Sequence, residues 1–395
     1  MATDSIFSKI YRSFTYFGIL YAIGILLLAI PTVQRYVLYQ HIFRWPFFTD
    51  FAVPESSGLA PHKTLNVYLP TSDNITLGAW FILSDHYYQK NFLPNRPQTA
   101  FPPITLEVAS DAIQARPTIL YLHGTAGNRA TPSRVHHYAG WTSRLQANVL
   151  AIDYRGFGDS TGQPNEPGVE LDAYTAFQWL VENGAKPEDI LIVGHSLGTG
   201  IASKLAKRLT KEGIKPRGLT LLAPFTSLTV VIESYPLFGL PILQPLQSFP
   251  AGRKFMKWLT REEFDTLSII QEIDLPVFVA HSTSDFEIPH VHSRNLIEQL
   301  LNPILPPSIT LANAPGSSIT KEEFEAYKAA LSKRKEARAL LVKKTEIERL
   351  GLIEEFEVRG HKVTYVESHW GGHNLVGLQE GVQDEMARMF QLNAY

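Results

Sequence analysis

The 395-residue chain contains no cysteine. That absence excludes disulfide frameworks, thiolate zinc sites, a cysteine nucleophile and S-palmitoylation together. A surplus of charge is missing too. The 36 Lys and Arg residues nearly balance 38 Asp and Glu, leaving a formal net charge of −2 and no long basic block. Nucleic acid is therefore not an expected partner. No internal repeat occurs. The pair His290-Val291-His292 lacks a third ligand at metal-like spacing, so no metal is expected. Gly198-Thr199-Gly200 lacks the third glycine of a dinucleotide fingerprint, and no cofactor is expected. What is present is ordinary for a globular protein with a sizeable core: 45% apolar and 19% charged residues.

One stretch departs from that average. From Ser13 to Gln34 no residue is charged, and Arg12 and Arg35 bracket the run. As a helix it would be roughly 30 Å long, the thickness of a hydrocarbon core. A cleaved signal peptide would need a small-x-small site after Ile30. Pro31-Thr32-Val33 extends the run instead, so an uncleaved anchor in a bilayer is expected. Lys9 and Arg12 before the span balance Arg35 and Arg44 after it, so charge does not set its orientation. A sequon, Asn74-Ile75-Thr76, would accept a glycan in a lumen. Seven aromatics follow the span: Tyr36, Tyr39, Phe43, Trp45, Phe47, Phe48 and Phe51. They read equally as an interfacial belt and as a buried clamp on the following domain.

From Lys63 onward the pattern is a hairpin (Leu65–Leu69 and Ile75–Ile82) followed by alternating strands and helices. The expected strands are Thr118–Leu122, Val149–Tyr154, Ile190–Val193, Leu219–Leu222, Pro276–Ala280 and Val363–Val366. Glu170–Asn183 and Ile201–Lys211 are among the helices between them. Short apolar runs alternating with helices predict an α/β fold with a mostly parallel sheet covered on both faces. Leu93 to Pro103 reads as a Pro-rich surface loop. Ser227 to Trp258 is apolar yet broken by Pro236, Pro241, Pro245 and Pro250, which predicts a cap over a greasy site. Pro306 to Gly360 reads as a charged insertion with a helix over Thr320–Leu350.

The chemistry centres on Gly194-His195-Ser196-Leu197-Gly198. Glycine two before and two after a serine, between a β-branched strand and a helix, is the sharp turn of a nucleophile elbow. The bare pattern arises by chance in roughly one such chain in ten; the flanking strand and helix carry the argument. A serine hydroxyl needs a base, and the base an orienting acid, in the chain order Ser, acid, His. Asp285 sits at the end of the strand Pro276–Ala280, with Glu287 of the same loop as competitor. His373 follows Gly371-Gly372 after the last strand, with His369 as alternative. Two N–H donors should hold the oxyanion. Leu197 supplies one at the helix N-terminus. The His123-Gly124-Thr125-Ala126-Gly127 turn supplies the other, assigned to Thr125 with Ala126 as second choice.

With these motifs, and with Trp45-Pro46-Phe47-Phe48, Asp153-Tyr154-Arg155-Gly156-Phe157-Gly158-Asp159-Ser160, Ala223-Pro224-Phe225-Thr226 and His373-Asn374-Leu375, the chain resembles the α/β-hydrolase superfamily. Within it the resemblance is to membrane-anchored monoacylglycerol and lysophosphatidylserine lipases, the abhydrolase type 12 proteins and their fungal relatives. It thins over Pro306 to Gly360. It also departs at Ser282, where relatives commonly carry glycine. The resemblance implies a lumen-facing domain in the endoplasmic reticulum and a monoacyl lipid ester as substrate. The expected organisation is a tail (1–12), a transmembrane anchor (13–34), a juxtamembrane segment (35–62) and an α/β-hydrolase domain (63–395). That domain would carry a cap at about 225–272 and a charged helical insertion at about 306–360. The expected activity is that of a serine carboxylic ester hydrolase. A protein S-acyl thioesterase and a catalytically silent scaffold of the same fold are the alternatives, and oligomeric state is unassigned.

Overall fold

Ile190–His195 divides its side chains between two cores: Ile190 and Ile192 enter one, Leu191 and Val193 the other. That two-faced burial is why the run is apolar without alternation, as a strand covered on both sides requires. The computed structural model describes residues 6–92, 104–234, 248–260, 262–309 and 319–393. Its strands are β1 (Thr64–Pro70), β2 (Thr76–Ile82), β3 (Thr118–Leu122), β4 (Asn148–Ile152), β5 (Ile190–His195), β6 (Gly218–Leu222), β7 (Val277–Ser282), β8 (Lys343–Ile347), β9 (Gly351–Val358) and β10 (His361–Ser368). They form one sheet in the order β1-β2-β4-β3-β5-β6-β7-β10-β9-β8. The strands from β4 to β10 in that order are parallel, and antiparallel pairs extend both edges.

Helices Glu166–Glu182, Leu197–Lys211 and Val291–Leu301 bury their apolar sides in one core. Pro132–Arg144 and Glu380–Phe390 cover the other face. From β3 the chain moves outward to β4, then crosses back to β5 on the far side of β3. Such a reversal leaves a crevice outside the carboxyl ends of β3 and β5. The His123 turn and the Ser196 elbow both leave the sheet there.

Three expectations need correction or restriction. The apolar run 13–34 is not one helix: Ile6–Leu28 is the first, and Pro31, which has no N–H to donate, begins a second over Pro31–Tyr39. The stretch Phe7–Leu28 is long and apolar enough to cross a membrane. In the insertion the helix runs only over Lys321–Leu341, capped by Thr320 and Glu323; β8 and β9 follow. Ile347 and Leu350, which match a helical stripe, instead flank a hairpin because β9 pairs with β10 along its whole length. Sheet pairing overrides the local helical pattern. Exposed Lys343, Lys344 and Glu346 on the terminal β8 keep that edge charged. Of the expected cap, residues 235–247 lie outside the described residues, as does the loop 93–103. Helices Leu228–Ser234 and Pro250–Leu259 are described, and Ile232 and Phe255 pack on Ile25 of the first helix.

The aromatics of segment 35–62 divide between buried and exposed positions. Tyr39 is buried edge-on against Phe157 and Phe264, and Phe51 packs on Trp80. Phe43, Trp45, Phe47 and Phe48 are exposed.

Candidate active site

Ser196 stands alone between β5 and the helix Leu197–Lys211 at φ 52°, ψ −123°, a conformation rarely adopted outside glycine. The helix doubles back tightly enough that a Cβ on Gly194 would lie 2.4 Å from the Gly198 carbonyl oxygen. A Cβ on Gly198 would lie 2.0 Å from the Leu122 carbonyl oxygen of β3. Only glycine fits either place, so the elbow's sequence is dictated by the approach of three backbones.

The loops after β7 and β10 meet at this serine. Ser196 Oγ lies 2.8 Å from His373 Nε2, and His373 Nδ1 lies 2.8 Å from Asp285 Oδ2. With the imidazole neutral, Nδ1–H donates to the carboxylate and Nε2 accepts from the serine hydroxyl. His369 is exposed and forms no side-chain hydrogen bond to Ser196 among the described residues. Glu287 stands half-exposed on the other side of His373, its Oε2 3.9 Å from Nε2, and accepts from Asn374. Asp285, and not Glu287, contacts His373 Nδ1.

Asp285 is buried and heavily solvated by protein. Its Oδ1 accepts from the backbone N–H groups of Glu287 at 2.9 Å and Ile288 at 2.8 Å. Its Oδ2 also accepts from His281 Nε2 at 3.0 Å. Burial works to raise its pKa, but the hydrogen bonds from His281 and His373 outweigh it and hold the carboxyl well below the usual carboxylate range. Ser293 Oγ lies 2.6 Å from His281 Nδ1. A His281 ring carrying its proton on Nε2 satisfies both contacts. His195 is neutral because burial, and then the neighbouring His373, push its pKa well below 6.5. Its Nε2–H donates to the His373 carbonyl at 2.9 Å, fixing the backbone of His373 from beneath.

The His123 turn lies against the serine: a Cβ on Gly124 would come within 3.0 Å of the Ser196 Cβ. Two of its N–H groups are engaged by the segment that follows the apolar helix. Ala126 N–H donates to the Tyr39 carbonyl at 3.0 Å and Gly127 N–H to the Phe43 carbonyl at 2.7 Å. Ala126, the second choice for the oxyanion donor, is therefore engaged elsewhere. The N–H groups of Thr125 and of Leu197, at the first position of its helix, enter no hydrogen bond among the described residues. A cavity of about 240 Å³ opens over Ser196, lined by Phe43, Trp45, Thr125, Arg134, Glu287 and His373 among others.

Five contributors escape a reading of sequence: His195, His281, Arg134 and the carbonyls of Tyr39 and Phe43. His281 stands four residues before Asp285 in sequence, and that proximity was the available signal. The others act across chain separations that carry no local pattern. The turn Asp153–Ser160 stays structural: Arg129 Nη1 donates to buried Asp153 and to half-buried Asp159 at 2.6 Å each.

Residues 119–331 match the family model of the alpha/beta hydrolase family. The lysophosphatidylserine lipase ABHD12 of Rattus norvegicus is 32% identical over 290 residues, 71% of this chain and 66% of that protein. The protein of the same name from Danio rerio is 30% identical, covering 71% of this chain and 70% of its own length. That of Xenopus tropicalis is 31% identical, covering 69% and 67%. The chain thus spans about two thirds of the length of these relatives. It belongs to the alpha/beta hydrolase family.

Proposed function

We propose that this protein is a membrane-anchored serine hydrolase that cleaves the acyl ester of monoacyl lipids through an acyl-enzyme. The observation that carries the reading is the continuous chain of 2.8 Å contacts from Ser196 through His373 to Asp285. Ser196 Oγ attacks the acyl carbonyl while His373 Nε2 takes its proton, and the buried Asp285 carboxylate stabilises the imidazolium. The tetrahedral oxyanion accepts from the N–H groups of Leu197 and Thr125. On collapse the C–O bond to the head-group alcohol breaks, and His373 returns the proton to that leaving oxygen. Water then attacks the acyl-enzyme with His373 as base, releasing the fatty acid and regenerating Ser196.

The names of the relatives support a lysophospholipid or monoacylglycerol as substrate. The apolar helix Phe7–Leu28 supports anchoring where such a lipid partitions. Exposed Phe43 and Trp45 line the cavity, and exposed Phe286 neighbours the lining residue Glu287, so the opening is rimmed by groups suited to a bilayer interface. Placement in the endoplasmic reticulum with a lumenal domain belongs to the same proposal. Asn74, exposed on the turn between β1 and β2, is the reporter of that orientation.

A fluorophosphonate probe should label the wild-type protein and leave Ser196→Ala unlabelled, and purified protein should release fatty acid from monoacyl lipids only when Ser196 is present. Equal labelling of both proteins, or lipid turnover by Ser196→Ala, would end the reading. A glycan on Asn74 would separate it from the S-acyl thioesterase alternative, whose substrates face the cytosol.

A further inference from the structure

Arg134 lies in the first turn of the helix Pro132–Arg144 and is only 7% exposed. A buried guanidinium ordinarily faces a carboxylate, since an unpaired interior charge is costly. Among the described residues Arg134 has none within ion-pair distance. Its partners are all backbone carbonyls of one turn. Nη2 donates to Ala126 at 2.7 Å, Gly124 at 3.1 Å and Thr125 at 3.3 Å, and Nη1 to Asn128 at 2.9 Å.

The planarity of the peptide bond turns this into a statement about direction. In a trans peptide the carbonyl of residue 124 and the N–H of residue 125 point opposite ways. Holding the Gly124 carbonyl on Arg134 therefore aims the Thr125 N–H away from the guanidinium. Ser196 is the neighbour of this peptide, against which a Gly124 Cβ would lie at 3.0 Å. His123 Nδ1 adds a second contact to the same carbonyl at 2.7 Å. The next two peptides are held from both ends, carbonyls on Arg134 and N–H groups on Tyr39 and Phe43.

We propose that Arg134 is a positioning residue of the oxyanion site: its planar fork fixes three successive carbonyls and thereby presents the Thr125 N–H to the tetrahedral intermediate. The planar geometry is the point, because one ammonium cannot span carbonyls of four residues as a guanidinium does. The field of the cation also reaches the site, contributing to the lowered pKa values of His123 and His195 after burial, the larger cause. This inference rests on the serine hydrolase reading.

The test compares wild type, Arg134→Met and Arg134→Lys on a soluble short-chain ester, with a trifluoromethyl ketone as probe of the oxyanion. The ketone adds Ser196 Oγ and places an oxyanion in the same site. Arg134→Met should lose about 100-fold in kcat, the scale of one missing oxyanion donor, with KM within threefold. Ketone affinity should fall in parallel with kcat/KM. Arg134→Lys should recover only part of both. Should Arg134→Met fail to fold, Arg134→Lys decides alone: at least a tenfold loss in kcat, with ketone affinity following, is expected. Full activity in a folded Arg134→Lys or Arg134→Met overturns the proposal. So does a kcat loss without weaker ketone binding, and so does a raised KM at unchanged kcat, which would mark a substrate-binding subsite instead. A wild-type protein that neither turns over the ester nor reacts with a fluorophosphonate would refute the hydrolase reading itself, and this inference with it.

Discussion

Ala126 donates its backbone N–H to the carbonyl of Tyr39 at 3.0 Å, tying the turn beside Ser196 to the last residue of the helix that follows the apolar span. Gly127 and Phe43 repeat the contact four residues on, and Asn128 Nδ2 reaches the carbonyl of Arg44. The segment after the apolar helix is thus part of the candidate active site.

Deleting residues 1–30 should therefore leave turnover of a soluble ester within a few fold of wild type. Deleting residues 1–44 removes the acceptors of two loop N–H groups and should cost about 100-fold in kcat, as for a disordered oxyanion donor. Parallel kinetics on the two truncations in detergent make the comparison. Equal activity in both would show that the segment serves only as a tether.

His281 shares Asp285 Oδ2 with His373. Replacing it, as in His281→Leu, removes one donor from the carboxylate and leaves its charge less dispersed. The carboxylate then holds the His373 imidazolium more strongly. The acidic limb of kcat/KM should move upward in pH, by about half a unit. Loss of a buried charge-assisted bond should also destabilise the fold by about 1–3 kcal/mol. A limb that moves downward would contradict the arrangement.

Three buried histidines are held neutral, chiefly by burial: His123 and His137, each pushed down to about 4, and His195, pushed well below its ordinary value. Below about pH 6.5 the unfolded chain binds protons at these positions that the folded chain does not. Stability is therefore greatest above that pH and falls on acidification, each residue contributing up to about 1.4 kcal/mol per pH unit. Denaturant midpoints between pH 7.5 and 5 should show this slope, reduced when His137 is replaced by a neutral residue. A flat profile would mean that the rings take up protons in place.

Phe286 is 95% exposed and Trp370 60% exposed, on the loops that carry Asp285 and His373. If the opening faces a bilayer, Phe286→Glu with Trp370→Glu should slow hydrolysis of a monoacyl lipid in vesicles at least about tenfold, because charge is unfavourable in the interface and aromatic rings are favoured there. The same pair should leave a soluble short-chain ester unaffected. Equal loss on both substrates would place the effect at the chemistry rather than at the membrane.

Much of the architecture is local in origin and is legible in the sequence alone. Runs such as Ile190–Val193 are β-branched and apolar, Gly194 and Gly198 mark a turn that admits no side chain, and the alternation of such runs with helices implies the α/β sheet. The order of Ser196, Asp285 and His373 along the chain is also a sequence property. Their separations are not: a contact between loops after β7 and β10 depends on those strands being parallel neighbours. Local pattern failed where tertiary pairing competed with it. Gly351–Val358 became a strand because β10 offered an edge, and Lys343–Ile347 because β9 then did. Direction escaped the sequence most completely. No spacing announces that Arg134 holds the carbonyls of residues 124–126, or that Tyr39 and Phe43 take the neighbouring N–H groups. Residue types determined which chemistry this chain could carry. The three-dimensional course of the backbone decided that the N–H groups of Ala126 and Gly127 are taken by Tyr39 and Phe43 while that of Thr125 is not, because each peptide's carbonyl and N–H point opposite ways and their partners come from distant parts of the chain.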